Sequence, residues 1–240
     1  MLYSPFHDIA FAHYPKTAGH SLVEWFRLTF PDARFVESPE HYDVSHLPVR
    51  SSLERLGIIA APAPSSRNRV AQFLNRAARR LSAPNRAEYC PTRIIGVLRD
   101  PFEMLVSLFE YWRAFPFTQP QDQFVMSARV GTFPEFLDMA VVRGCSYSYE
   151  AFFDVGGPAW SSTRLIDFRT IETGLKTVCQ EFGIASPHPL LYRNQGPTSG
   201  RGLEPYRLAA GLLMTDVHRH FRWYYTSAAQ IMVRGADPLK

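Results

Sequence analysis

A chain of 240 residues, 46% hydrophobic and 20% charged, has an ordinary globular composition and the length of one large domain or two small ones. A domain of this size buries roughly 70–75% of its unfolded surface and needs no disulfide or metal staple. The net charge of +4 is uneven: residues 50–93 hold nine Arg and two Glu, a net of +7, which leaves −3 for the rest. Cys90, Cys145 and Cys179 cannot all pair and lack metal-ligand spacing. Each therefore reads as a small buried residue in a reducing compartment. Residues 1–10 show neither a basic leader nor a long apolar run, and no segment reaches the ~18 apolar residues of a membrane span. A cytoplasmic protein of bacterial style is expected.

The elements follow in chain order. Residues 8–14 read as a short buried strand, with His13 inside it as a core residue. Residues 17–30 read as a helix with Leu22, Phe26 and Phe30 on one face. Residues 33–38 read as a second strand, followed by a polar loop that carries His41 and His46. Residues 60–66, AAPAPSS, break regular structure. Residues 67–81 then place Val70, Phe73, Leu74, Ala77 and Leu81 at helical spacing, with Arg on the opposite side. That amphipathic helix is either a solvated cover for the sheet edge or a surface for anionic glycans and lipid headgroups.

Residues 93–98, RIIGVL, form a continuous apolar, largely β-branched strand of the kind buried in a parallel sheet. A helix starts at once, with Asp100 as N-cap, Pro101 at the first helical position and Glu103 in capping-box position. Leu105, Leu108, Phe109 and Trp112 line its core face. A helix near 133–143, a strand over 164–168, a helix from about 170 to 182 and a long helix from Pro205 to about Trp223 follow. Strands alternating with helices predict a single α/β domain over 1–240, its mainly parallel central sheet flanked by helices, with a basic helical insertion at about 50–92.

Ligands of open parallel sheets bind at the carboxyl ends of the strands. "PKTAGHS", residues 15–21, lies at such an end, where helix N–H groups and the dipole attract anions. Gly19 permits close backbone approach there, and Lys16, Ser21 and His20 add donors. A capped helix with a surface Lys reads the same residues without a ligand. "VLRDPFEMLVSLFEYW", residues 97–112, puts Arg99 at another strand end and Ser107 two turns into the next helix, off the Leu105–Leu108–Trp112 stripe. Two anion grips on neighbouring strand ends suit a ligand with two separated phosphates.

These two stretches, together about 25 residues, resemble the sulfotransferase family, in its carbohydrate-acting branch. The resemblance implies a P-loop NTPase-like sulfotransferase fold, 3′-phosphoadenosine 5′-phosphosulfate as donor and adenosine 3′,5′-bisphosphate as product. Residues Lys16, Thr17, Ala18, Gly19, His20 and Ser21 would hold the 5′-phosphosulfate, and Arg99 with Ser107 the 3′-phosphate. Arg201, in "YRNQGPTSGRG", falls in the position of a further cofactor-covering loop. His20 stands where the family usually has Thr or Ser; it either preserves the contact through an imidazole N–H or makes the affinity pH-dependent. Lys16 would stabilise the leaving oxygen. His46, in "DVSHLPV", would be the base for the acceptor hydroxyl, with His41 as the alternative. The implied acceptor is a glycan or glycolipid; peripheral membrane-surface contact through residues 67–81 is the alternative their Arg-rich face offers.

No metal is expected, because no His, Cys or carboxylate spacing resembles a metal site. A P-loop-type kinase would share the anion loop, but it needs Mg²⁺ ligands and a G-K-[S/T] ending. A basic nucleic-acid-binding module would explain the pI of 9.0 but not the paired grips. The Arg cluster also lacks interleaved aromatics, so no nucleic-acid partner is expected.

Overall fold

The computed structural model describes residues 1–36, 46–59, 92–114, 122–185, 187–191 and 202–232. Strands β1 (Leu2–Ser4), β2 (Ile9–Ala12), β3 (Arg34–Phe35), β4 (Arg93–Leu98) and β5 (Thr163–Asp167) form one mixed sheet in the order β3-β1-β2-β4-β5. Strands β2, β4 and β5 are parallel neighbours, whereas β1 is antiparallel to both β2 and β3. It follows that β3 runs in the same direction as β2.

The sheet is covered on both faces, which explains its apolar strands. Side chains alternate along each strand. Ala10, Ala12, Ile94, Leu98 and Leu165 belong to one core, and Ile9, Phe11, Ile95, Val97 and Ile166 to the other. The second core is closed by α1 (Gly19–Thr29), through Leu22, Trp25 and Phe26, and by α7 (Ile171–Glu181), through Ile171, Leu175 and Val178. The first is closed by α2 (Val49–Arg55), α3 (Pro101–Ala114), α5 (Phe133–Leu137) and α6 (Tyr149–Phe153). Helices α4 (Gln123–Val130), α8 (Glu204–Ala210) and α9 (Leu213–His220) add to that layer through Ala128, Ala210 and Val217.

The connections decide where a ligand can enter. From β2 the chain crosses one face through α1 to β3. Helix α2 then packs on the other face, and from β4 the chain continues on that face through α3 to β5. The loops after β2 and β4 therefore leave adjacent strand ends towards opposite faces. This is a topological switch point, where α/β sheets open a crevice.

Several expectations change. The three-residue β1 is too short to show a pattern of its own, yet it supplies the partner of β3, which is only two residues long. Sequence predicts one helix from Pro205 to Trp223. The structure has α8 and α9, broken at Gly211 with φ 51°, a backbone region that glycine enters without steric cost. The helix near 133–143 is α-helical only to Leu137 and continues as a π-helix over Asp138–Val142. Helix α2 lies at the start of the expected basic insertion, but Val49 and Leu53 are fully buried core residues. Cys179 is buried as expected, whereas Cys145 is exposed. Residues 67–81, Cys90, His41 and Arg201 lie outside the described residues. Among the described residues no helix is long and apolar enough to cross a membrane.

Candidate functional site

Helix α1 starts without a side-chain cap, because its N-cap is Ala18 in the left-handed region. Lys16 and Ala18 both have φ 60°. For residues with a Cβ this conformation costs about 1–2 kcal/mol each, and such strain collects where a loop is shaped for a ligand. Thr17 is fully buried, and its hydroxyl donates to the Tyr14 carbonyl at 2.8 Å. Thr17 therefore offers an anion only its main chain. Ser21 is buried and His20 exposed, on the first turn of α1.

Sequence places Lys16 on an exposed loop, but it is half-buried. Its Nζ sits 4.0 Å from the centre of the Tyr111 ring, a cation–π contact. Burial first, and the nearby Arg99 charge second, lower its pKa to about 8. Arg99, one residue past β4, donates from Nη1 to the Lys16 carbonyl at 3.5 Å and lies 4.7 Å over the Phe168 ring. Its Nε is buried and makes no hydrogen bond among the described residues; Glu103 Oε2 is 3.6 Å away. A buried donor left unmet costs about 1–3 kcal/mol, which an arriving oxyanion would recover.

Helix α3 joins the two cations. Residues 103, 107 and 111 of α3 recur every four positions and so share one face, with Arg99 just ahead of the helix. Glu103 contacts Arg99 at one end of this face, Tyr111 contacts Lys16 at the other, and Ser107 stands midway. Ser107 is 9% exposed, in a stretch of α3 buried on nearly every side. Asp100 caps the helix by accepting from the Glu103 N–H at 3.0 Å. The Glu103 carboxylate does not close a capping box; it pairs with Arg169 at 3.0 Å and faces Arg99. Glu103 was read only as a capping residue, and Tyr111, Phe168 and Arg169 were missed in the sequence. Glu103 and Tyr111 were legible as the four-residue spacing that follows Arg99.

Gly19 has a different role from the expected one. A Cβ there would come within 1.5 Å of the His13 ring, so the missing side chain makes room for His13 rather than for a ligand. His13 lies just past β2, not inside it, and is 7% exposed. Its ring lies 4.3 Å from that of His46, centre to centre, and its carbonyl is 3.1 Å from His46 Nδ1. A carbonyl can only accept, so His46 Nδ1 is the donor in this contact. His46 is thereby held beside His13, the residue that leads into the Lys16 loop.

The cluster thus joins Lys16, Arg99, Ser107 and the start of α1 at the switch point, with His46 beside the loop. A shallow surface groove lies elsewhere, between Met126, Val130, Pro134 and Met139. Among the described residues no group of three His, Cys, Asp or Glu is placed to hold a metal. The chain matches no protein-family model, no curated protein and no solved structure.

Proposed function

We propose that this chain is a sulfotransferase of P-loop-like fold that moves the sulfuryl group of 3′-phosphoadenosine 5′-phosphosulfate to a hydroxyl of a glycan or glycolipid. The observation that carries this reading is the contact of two cationic strand ends at the switch point, Arg99 Nη1 on the Lys16 carbonyl. The sequence motifs around these residues are those that resemble the family. The unmet Arg99 Nε donor fits a group that brings its own oxyanions.

The donor, when bound, supplies a sulfuryl group on a phosphate leaving group. Lys16 and the N–H groups that open α1 would hold the 5′ end, and Lys16 would balance the charge that develops on the leaving oxygen. Arg99 and Ser107 would hold the 3′-phosphate, the guanidinium through its fork of donors. His46 would take the acceptor's proton on Nε2 while its Nδ1–H stays anchored on the His13 carbonyl.

Thermal shift separates this reading from a kinase. Stabilisation by adenosine 3′,5′-bisphosphate is expected, and stabilisation by ATP with Mg²⁺ alone would reject the assignment. Replacing Arg99 with Ala should weaken adenosine 3′,5′-bisphosphate by roughly 10–150-fold, the equivalent of a charge-assisted bond of ~1.5–3 kcal/mol. Adenosine 5′-phosphate, which lacks the 3′ group, should change far less. Equal losses in calorimetry would remove Arg99 from the 3′ grip.

Lys16 also sets a pH dependence. A bound anion favours the charged ammonium, so affinity for the bisphosphate is greatest below the Lys16 pKa of about 8. It falls as pH rises through that value, by at most about tenfold per pH unit, the limit for one linked proton. A Lys16→Met variant should bind weakly and without this slope between pH 7 and 9. An identical slope in the variant would assign the titration to another group.

A further inference from the structure

Only three of the 26 basic residues are lysines: Lys16, Lys176 and Lys240. The chain elsewhere uses Arg, whose guanidinium stays protonated and is no nucleophile, whereas an amine can attack a carbonyl. Lys16 is also held unusually. Among the described residues no carboxylate lies within ion-pair distance of its ammonium, which rests on the Tyr111 ring with Arg99 nearby. Such an environment, dry on one side and cationic on the other, favours the neutral amine, and the pKa of about 8 agrees.

We infer that Lys16 is an acyl acceptor: a small acyl phosphate docks its phosphate against Arg99 and passes its acyl group to Lys16 Nζ. The neutral amine attacks the acyl carbon, a C–N bond forms and the C–O bond to phosphate breaks. The amine's proton leaves with the phosphate as hydrogen phosphate, so no oxidant, reductant or further reactant is needed. The product is a neutral N-acyl-lysine, which removes one of the two clustered cations. The acylation needs only the Lys16–Arg99 pair; its consequence for sulfuryl transfer rests on the function proposed above.

The test compares two acetyl donors on the intact protein at pH 8, with site-resolved mass spectrometry. Acetyl phosphate carries the guiding anion, and N-acetoxysuccinimide is uncharged. Lys176, exposed on α7, is the internal control. Acetyl phosphate should give a Lys16 to Lys176 ratio at least about tenfold above that of the uncharged reagent, which requires only ~1.4 kcal/mol of docking energy. Inorganic phosphate should slow acetyl phosphate at Lys16 and leave Lys176 unaffected. In Arg99→Ala the acetyl phosphate rate at Lys16 should fall relative to the N-acetoxysuccinimide rate at the same residue. That ratio cancels any change in amine reactivity that comes from losing the neighbouring charge. Equal Lys16 to Lys176 ratios for the two reagents, or no protection by phosphate, would overturn the inference without using a variant. An acylated Lys16 with full transfer activity would instead overturn the role of Lys16 in the proposed function.

Discussion

A Lys16→Ala variant is expected to lose ~10²–10³-fold in sulfuryl transfer, the usual consequence of removing one donor to a developing oxyanion. The loss should fall mainly on kcat, because negative charge on the leaving oxygen grows between the bound donor and the transition state. Stability should move little. The Tyr111 contact is worth about 0.5–2 kcal/mol and is opposed by the desolvation that lowers the Lys16 pKa. The melting temperature should therefore stay within about 4 °C at pH 7. The pH dependence of stability should differ in sign-defined fashion. The folded pKa, about 8, lies below the ordinary lysine value of 10.5, so the unfolded chain binds more protons between those values. Wild-type stability consequently gains with rising pH across that window, a gain Lys16→Ala lacks. Single-turnover kinetics with labelled donor, alongside melting curves from pH 7 to 10, measure both. A loss in transfer under tenfold would argue against the leaving-group role.

Replacing His46 with Ala should reduce kcat by ~10²–10⁴-fold, the range for a lost general base. The affinity for adenosine 3′,5′-bisphosphate should be retained, since both proposed grips lie on other residues. His46→Gln should rescue little, since an amide can replace the hydrogen bond to the His13 carbonyl but takes no proton. The matched control is His41→Ala. A crippled His41 variant beside an active His46 variant would move the base to His41. Full activity in both would turn attention to His20, exposed on the first turn of α1.

How far the sequence alone reaches can be judged from particular elements. RIIGVL is readable as a buried parallel strand because both its faces are covered, so every position after Arg93 is buried and non-polar. Its structured extent, Arg93–Leu98, is the one predicted. Helices α1 and α7 are readable because each buries a single stripe, and their apolar residues repeat at helical spacing. The loop at residues 15–21 and Arg99 are readable because glycine, cations and a helix start follow strands directly in the chain. All of these signals are local.

The remaining features depend on contacts between distant parts of the chain, which no local period encodes. Strand β1 exists because β2 and β3 flank it, not because three residues have a propensity of their own. The switch point arises from α1 packing on one face and α2 and α3 on the other, a choice made by the two cores. Lys16 is half-buried because Tyr111 and Arg99, about ninety residues later, close over it. Gly19 is small to admit His13, and His13 in turn holds His46 through its carbonyl. The sequence by itself determined which residues carry charge at the strand ends. Only the tertiary structure decided which of them meet, because burial, pKa and tautomer are set by neighbours in space rather than in sequence.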